Sequence, residues 1–144
     1  MTLEVFNQVR KQQISLAEAL GVSEGVVEVF AILGLQHYEQ GRYEDARTMF
    51  QAAVTLNAKH YMGHAGLGVL ALVGDDLDAA QAHLLRAYSL NARDTAVCCN
   101  LGEVYLRQEK TAEARRYLQD SAALDAAHMD TYANRARGIL LSMG

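Results

Sequence analysis

The sequence lacks the features that define several protein classes. It has no proline among 144 residues, and its two cysteines, Cys98 and Cys99, are adjacent. Adjacent cysteines without spaced partners predict neither a disulfide framework nor a CxxC site. No stretch of about 18 apolar residues is present, and the start of the chain lacks a basic lead into an apolar core. We therefore expect no membrane partner and a cytoplasmic location.

The charge pattern does not favour nucleic-acid binding. The chain carries 13 basic and 17 acidic residues, for a net charge of −4 at pH 7. The basic residues are scattered singly along the sequence, whereas a phosphate backbone requires a stripe or patch of positive charge. We expect no nucleic-acid partner.

The chain offers few candidates for catalysis or metal binding. His60 and His64 have the i, i+4 spacing of helical metal ligands, but no third ligand is near in sequence, so we interpret both as structural. Asp75, Asp76 and Asp78 are better explained by a helix N-terminus, where the helix dipole favours negative charge, than by a calcium loop. The sequence predicts no catalytic residue, no metal site and no cofactor, and hence not an enzyme. A regulatory or catalytic role for the histidines and cysteines is the weakest alternative.

A period of 34 residues organises most of the chain. Gly34, Gly68 and Gly102 are each 34 residues apart. Other columns keep the same step: Leu33, Leu67 and Leu101; Ala46, Ala80 and Ala114; Leu56, Leu90 and Leu124; Asn57, Asn91 and Asp125. A fixed period in this range is typical of a solenoid of helix pairs. Because glycine within a helix costs about 1 kcal/mol relative to alanine, we expect the glycines to mark close helix crossings, with the alanines of the second column opposite them.

The columns resemble the tetratricopeptide repeat (TPR) pattern, in which an aromatic-x-x-Leu-Gly-x-x-Tyr segment is followed by Ala-x-x-x-Phe. The matching residues are Phe30, Leu33, Gly34, His37, Ala46 and Phe50; His64, Leu67, Gly68, Ala71, Ala80 and Leu84; and Cys98, Leu101, Gly102, Tyr105, Ala114 and Leu118. The late proline of the family is alanine in all three units, which weakens only the stop signal between helices. The resemblance implies an all-α TPR solenoid.

We predict a single TPR domain over residues 1–144. Its parts are an N-terminal helix and turn (1–26), repeats at 27–60, 61–94 and 95–128, and a C-terminal capping helix (129–144). The front segment is expected to form one amphipathic helix over residues 2–20, with Ser23 as a plausible N-cap of the first repeat. The turns within repeats are expected at residues 40–42, 73–75 and 108–110, and those between repeats at the Asn-Ala and Asp-Ala pairs.

The TPR resemblance implies a concave groove lined by the first helix of each repeat. The apolar residues expected there, called the candidate binding residues below, are Leu35, Tyr38, Met62, Ala65, Val69, Leu72, Val73, Cys99 and Leu106. An apolar patch of this kind on a surface typically marks an interaction site. The alternative is that the N-terminal helix or a second subunit fills the groove. The positions that hold a terminal carboxylate in chaperone-binding TPR domains are Ala31, Leu35, Gly66, Ala96 and Asn100 here. The basic clamp is therefore missing.

A narrower resemblance links the chain to the class II chaperones of type III secretion, which hold hydrophobic translocator proteins. It rests on residues 13–20, 27–35, 38–51 and 66–68 and on the layout of an N-terminal helix before three TPRs. This implies a partner segment, apolar and extended or helical, bound in the groove, and a possible homodimer through Leu3, Phe6 and Val9. The alternative is a generic TPR scaffold or adaptor that assembles a larger bacterial complex.

Overall fold

The computed structural model describes all 144 residues, which form nine α-helices and no strand. The helices are α1 Leu3–Arg10, α2 Leu16–Leu20, α3 Glu24–Glu39, α4 Tyr43–Leu56, α5 Tyr61–Val73, α6 Leu77–Leu90, α7 Thr95–Arg107, α8 Thr111–Ala123 and α9 Thr131–Met143. The three helix pairs, α3–α4, α5–α6 and α7–α8, and the closing helix α9 confirm the all-α repeat architecture predicted from the period.

The chain divides into two compact units, residues 1–67 and 68–144, and the border between them falls inside α5. In the first unit, α3 packs on α4, and α2 contacts both helices. In the second unit, α7 packs on α6, α8 and α9, and α9 also packs on α8. The single domain expected over residues 1–144 stays a prediction.

Asparagine side chains close the first two repeats in place of proline. Asn57 and Asn91 follow the last residues of α4 and α6, and their Oδ1 atoms accept the backbone N–H groups of Lys59 at 3.0 Å and Arg93 at 3.1 Å. Such bonds stabilise a turn that competes with continued helix. The predicted turns between these repeats are confirmed.

The turns within the repeats share one left-handed residue each. It is Gly41 in the first turn, Asp75 in the second and Glu109 in the third, with φ angles of 74°, 59° and 61°. These residues keep the step of 34. Glycine adopts this conformation without strain, whereas a residue with a Cβ loses about 1–2 kcal/mol. The predicted turns are confirmed, although the second lies at residues 74–76 because α5 extends through Val73.

The single helix predicted over residues 2–20 is wrong. The structure has α1 and α2 instead, separated by residues 11–15. The Ser15 hydroxyl accepts the backbone N–H of Glu18 at 3.0 Å and thereby starts a new helix. A serine followed three residues later by glutamate is a helix-start pattern that is visible in the sequence. Ser23 does occupy the N-cap position of α3, but its side chain makes no capping hydrogen bond.

The repeated glycines lie at close helix crossings, but their neighbours differ from those predicted. A Cβ placed on Gly34 would lie 2.7 Å from the Phe50 ring, and one on Gly66 would lie 2.5 Å from the same ring. The nearest side chains to Gly68 and Gly102 are likewise Leu84 and Leu118, at 2.6 and 2.5 Å. The predicted neighbours, Ala46, Ala80 and Ala114, precede these large side chains by one helical turn and are buried. The glycines therefore seat one large side chain of the second helix.

We predict that Gly68→Ala lowers the free energy of unfolding by about 1–3 kcal/mol, because the added methyl overlaps Leu84 and forces the two helices apart. The matched control is Gly138→Ala in α9, where a Cβ meets no atom within 4 Å. There the change should stabilise the helix by up to about 1 kcal/mol, since alanine has the higher helix propensity. Urea denaturation of both variants measures the difference. A Gly68→Ala protein as stable as the parent contradicts the close crossing.

Candidate peptide-binding surface

Four candidate binding residues lie in the first unit, where α3 and α5 position them. Leu35 is the most accessible, with 43% of its surface exposed. Tyr38, Met62 and Ala65 are half-buried. The Tyr38 ring contacts that of Tyr43, with 5.6 Å between centroids. Met62 packs against the buried cluster formed by Ala17, Val27, Ala31 and Ala53. In this unit, Leu35 is thus the candidate residue that offers the most uncovered apolar surface.

Five candidate residues lie in the second unit, and they divide into two groups. Val73 and Leu106 are 51% and 37% exposed, and Val69 is half-buried. Leu72 and Cys99, by contrast, are only 6% and 0% exposed. The expectation that both side chains face solvent is wrong.

Contacts with other helices explain the burial of Cys99 and Leu72. Cys99 packs in a cluster with Leu118 and with Ala136 of α9, so the closing helix covers it. At the end of α5, the Arg107 guanidinium of α7 lies 3.4 Å from the Leu72 carbonyl oxygen. Position along one helix does not reveal which neighbouring helix lies over a side chain.

The second unit also presents polar residues on one face of α7, which the sequence interpretation of an apolar surface left out. Asn100, Glu103 and Arg107 are spaced i, i+3 and i+7 and so share a helix face. The Glu103 carboxylate is 2.5 Å from the Arg135 guanidinium of α9. Arg107 lies 3.4 Å from the Asp75 carboxylate. The i, i+3, i+7 spacing of three polar residues was a sequence signal for this face.

Both histidines singled out in the sequence have backbone partners. The Nδ1 atom of His60 accepts the N–H of Gly63 at 3.2 Å, in the first turn of α5, so its Nε2–H can be donated to the Glu28 carboxylate at 2.9 Å. His64 Nε2 lies 2.9 Å from the Ala58 carbonyl oxygen. His60 therefore acts as a helix cap that also binds α3. No group of three or more His, Cys, Asp or Glu side chains is placed to hold a metal ion.

The three aspartates near residue 75 serve the start of α6. Asp76 is its N-cap, and one carboxylate oxygen accepts the Ala79 N–H at 3.1 Å. Asp78 lies in the first turn of the same helix. These positions confirm the interpretation as an acidic helix N-terminus.

The N-terminal helix contributes almost nothing to the interior of the first unit. No residue of α1 is buried, and Leu3 and Phe6 are 76% and 53% exposed. Val9 is half-buried. The apolar side of α1 is thus largely uncovered.

We predict that both native cysteines resist thiol reagents. Burial raises the pKa of the Cys98 and Cys99 thiols to about 11 each, with the carboxylates of Asp120 and Glu103, respectively, adding to the effect. At pH 8 only about one thiol in a thousand is then the reactive thiolate. Ellman's reagent should modify neither residue in the folded protein and both in guanidinium chloride. A Leu35→Cys variant is the control, since its exposed thiol should react at once. Rapid native reaction of two thiols in the parent protein would contradict the burial of Cys99.

Two family models described as tetratricopeptide repeat match the chain, one over residues 33–95 and the other over residues 95–124. Together they cover more than half of the chain, which belongs to the tetratricopeptide repeat family. No helix of the structure combines the length and apolar character needed to cross a membrane.

Among curated proteins, the chain is similar to anaphase-promoting complex subunit 3 of Schizosaccharomyces pombe, with 25% identity over 112 residues. That match covers 78% of this chain but only 17% of the relative, so the chain spans a small part of that protein's length.

Among solved structures, the chain is similar to the type III secretion translocator chaperone SycD of Yersinia enterocolitica, with a TM-score of 0.77 and 22% identity, over 90% of this chain and 98% of SycD. A type III secretion complex from Aeromonas hydrophila has a TM-score of 0.83 and 20% identity, over 96% and 94% of the two chains. PcrH of Pseudomonas aeruginosa, in complex with the chaperone binding region of PopD, has a TM-score of 0.75 and 23% identity, over 85% and 93%. These likenesses confirm, at the level of fold, the resemblance to secretion chaperones seen in the sequence.

Proposed function

We propose that the protein is a non-catalytic secretion chaperone that holds an apolar segment of a translocator-type protein. The observation that carries the proposal is the fold similarity to translocator chaperones over nearly the full length of the chain. SycD has been solved with a peptide of the translocator YopD, and PcrH with the chaperone binding regions of PopD and PopB. Such a chaperone works in the cytoplasm before export, which is the location we propose.

The accessible candidate binding residues supply the chemistry for this role. Leu35 in the first unit and Val73 and Leu106 in the second expose apolar surface at the positions where TPR proteins bind their ligands. Covering apolar surface contributes roughly 25 cal/mol per Å² on each partner. Ordering a flexible segment offsets about 2–5 kcal/mol of that gain. The balance favours a complex that protects the segment and still releases it.

The remaining candidate residues have supporting roles in this proposal. Tyr38, Met62, Ala65 and Val69 are half-buried and would contact the segment with part of their surface. Leu72 and Cys99 would lie beneath the surface and hold its shape. A charge at Leu72 would therefore test folding rather than binding.

Leu35→Glu and Leu106→Glu should each weaken the complex with a translocator, because a carboxylate would lose its hydration against an apolar segment. Co-expression with a candidate translocator from the same genome should give a soluble complex with the parent protein. Each variant should lower the affinity at least about ten-fold, as measured by calorimetry with a peptide from that translocator. Val29→Glu is the matched control, since Val29 also lies on α3 and is similarly exposed but is not a candidate binding residue.

Unchanged affinity in both Glu variants, with unchanged helix content, would contradict the proposed surface. A scaffold function is the second candidate, favoured by the similarity to a subunit of the anaphase-promoting complex. A scaffold would bind a folded partner, and short peptides would not compete for that interface.

We also propose that the protein forms a homodimer through α1. The uncovered Leu3 and Phe6 side chains support this, as does the dimer described for SycD. Phe6→Glu should shift the mass measured by light scattering from dimer to monomer, because a charge replaces an apolar contact. Gln13→Glu, which adds the same charge at another exposed site of the N-terminal segment, should leave the dimer intact. A monomeric parent protein would contradict the proposal.

A further inference from the structure

The Asn100 side chain is a buried polar group without a partner in the chain. Asn100 is 6% exposed, and no backbone or side-chain group forms a hydrogen bond with its amide. The other buried polar residue, Ser121, differs in this respect, since its hydroxyl donates to the Thr95 carbonyl oxygen at 2.8 Å. Buried side-chain amides in native proteins are paired in the large majority of cases. The exception at Asn100 therefore points to a partner outside the chain.

Asn100 lies on the polar face of α7, where the charges are already paired. Glu103, one turn further along, is held by Arg135 at 2.5 Å. Arg107, two turns along, lies 3.4 Å from Asp75. Each cation on this face has its anion, so the face offers no unpaired positive charge to a terminal carboxylate. The group left over is the neutral amide of Asn100.

An asparagine amide is complementary to a peptide group. Its NH₂ group donates to a carbonyl oxygen, and its carbonyl oxygen accepts from an N–H group. An extended main chain presents both groups, whatever its side chains are. A hydrogen bond of this kind fixes the register of a segment without selecting its sequence.

We propose that Asn100 hydrogen-bonds the main chain of an internal, extended stretch of the bound partner segment and so positions it on the second unit. This inference rests on the proposed function, since it names a positioning residue for the same binding activity. The exposed side chain of Leu106 would supply apolar contact to the same segment. The amide left unpaired in the free protein would then be paired in the complex.

Asn100→Leu tests the proposal, because leucine has a similar volume and no hydrogen-bonding group. The variant should raise the thermal midpoint of the free protein, since an unpaired buried amide is removed. It should also lower the affinity for a peptide mapped from the co-expressed translocator by about ten-fold or more, measured by calorimetry. Gln119→Leu is the control, since Gln119 is an exposed amide on α8, and it should leave the affinity unchanged.

A scan of N-methylated peptides locates the bond on the ligand. Methylation of the one amide that Asn100 contacts should weaken binding to the parent protein and have little further effect on Asn100→Leu. A purely structural role of Asn100 would not produce this coupling between ligand and variant.

The outcomes separate the inference from the function on which it rests. A lower thermal midpoint for Asn100→Leu would show that the amide is satisfied within the chain and would overturn the inference. Equal affinity of Asn100→Leu and the parent for the peptide would overturn it too, while the chaperone function would stand. If the parent protein retains no segment of any candidate translocator, both the function and the inference fail.

Discussion

The fold depends on one recurring contact, in which a large side chain from the second helix of a repeat rests on a glycine of the first. Phe50, Leu84 and Leu118 occupy this place against Gly34, Gly68 and Gly102. The missing Cβ brings the helix axes together, and the close approach buries the small alanines one turn earlier. Since an isolated helix of 13–16 residues is marginal in water, the helices owe their stability to this contact.

Close packing on one side of each first helix leaves another side available to ligands. In α3 the buried residues Val27, Ala31 and Gly34 face the interior, whereas Leu35 stays exposed. In α7 the interior takes most of the helix, and Leu106 remains accessible near its end. The apolar residues that remain exposed and the unpaired amide of Asn100 together suit an extended apolar chain better than a charged one.

The period of 34 residues was enough to predict the helix pairs, their turns and the closing helix, because each column reports a packing position that recurs. It was not enough to predict which residue faces each glycine. The alanine and the large side chain are four residues apart, which is about one turn, and both lie on the same helix face. The break at Ser15 could have been predicted, since the Ser-x-x-Glu pattern stands in the sequence. The burial of Cys99 could not, because it depends on a contact with α9 that no spacing within α7 encodes.

Phe50 differs from its counterparts, because one ring meets glycines from two successive repeats, Gly34 in α3 and Gly66 in α5. A disturbance that tilts the ring in either helix is thereby transmitted to the other. Repeat proteins unfold cooperatively to the extent that neighbouring repeats are coupled. A smaller side chain at Phe50 would uncouple α3 from α5, so the first repeat could fray while the rest of the chain stayed folded.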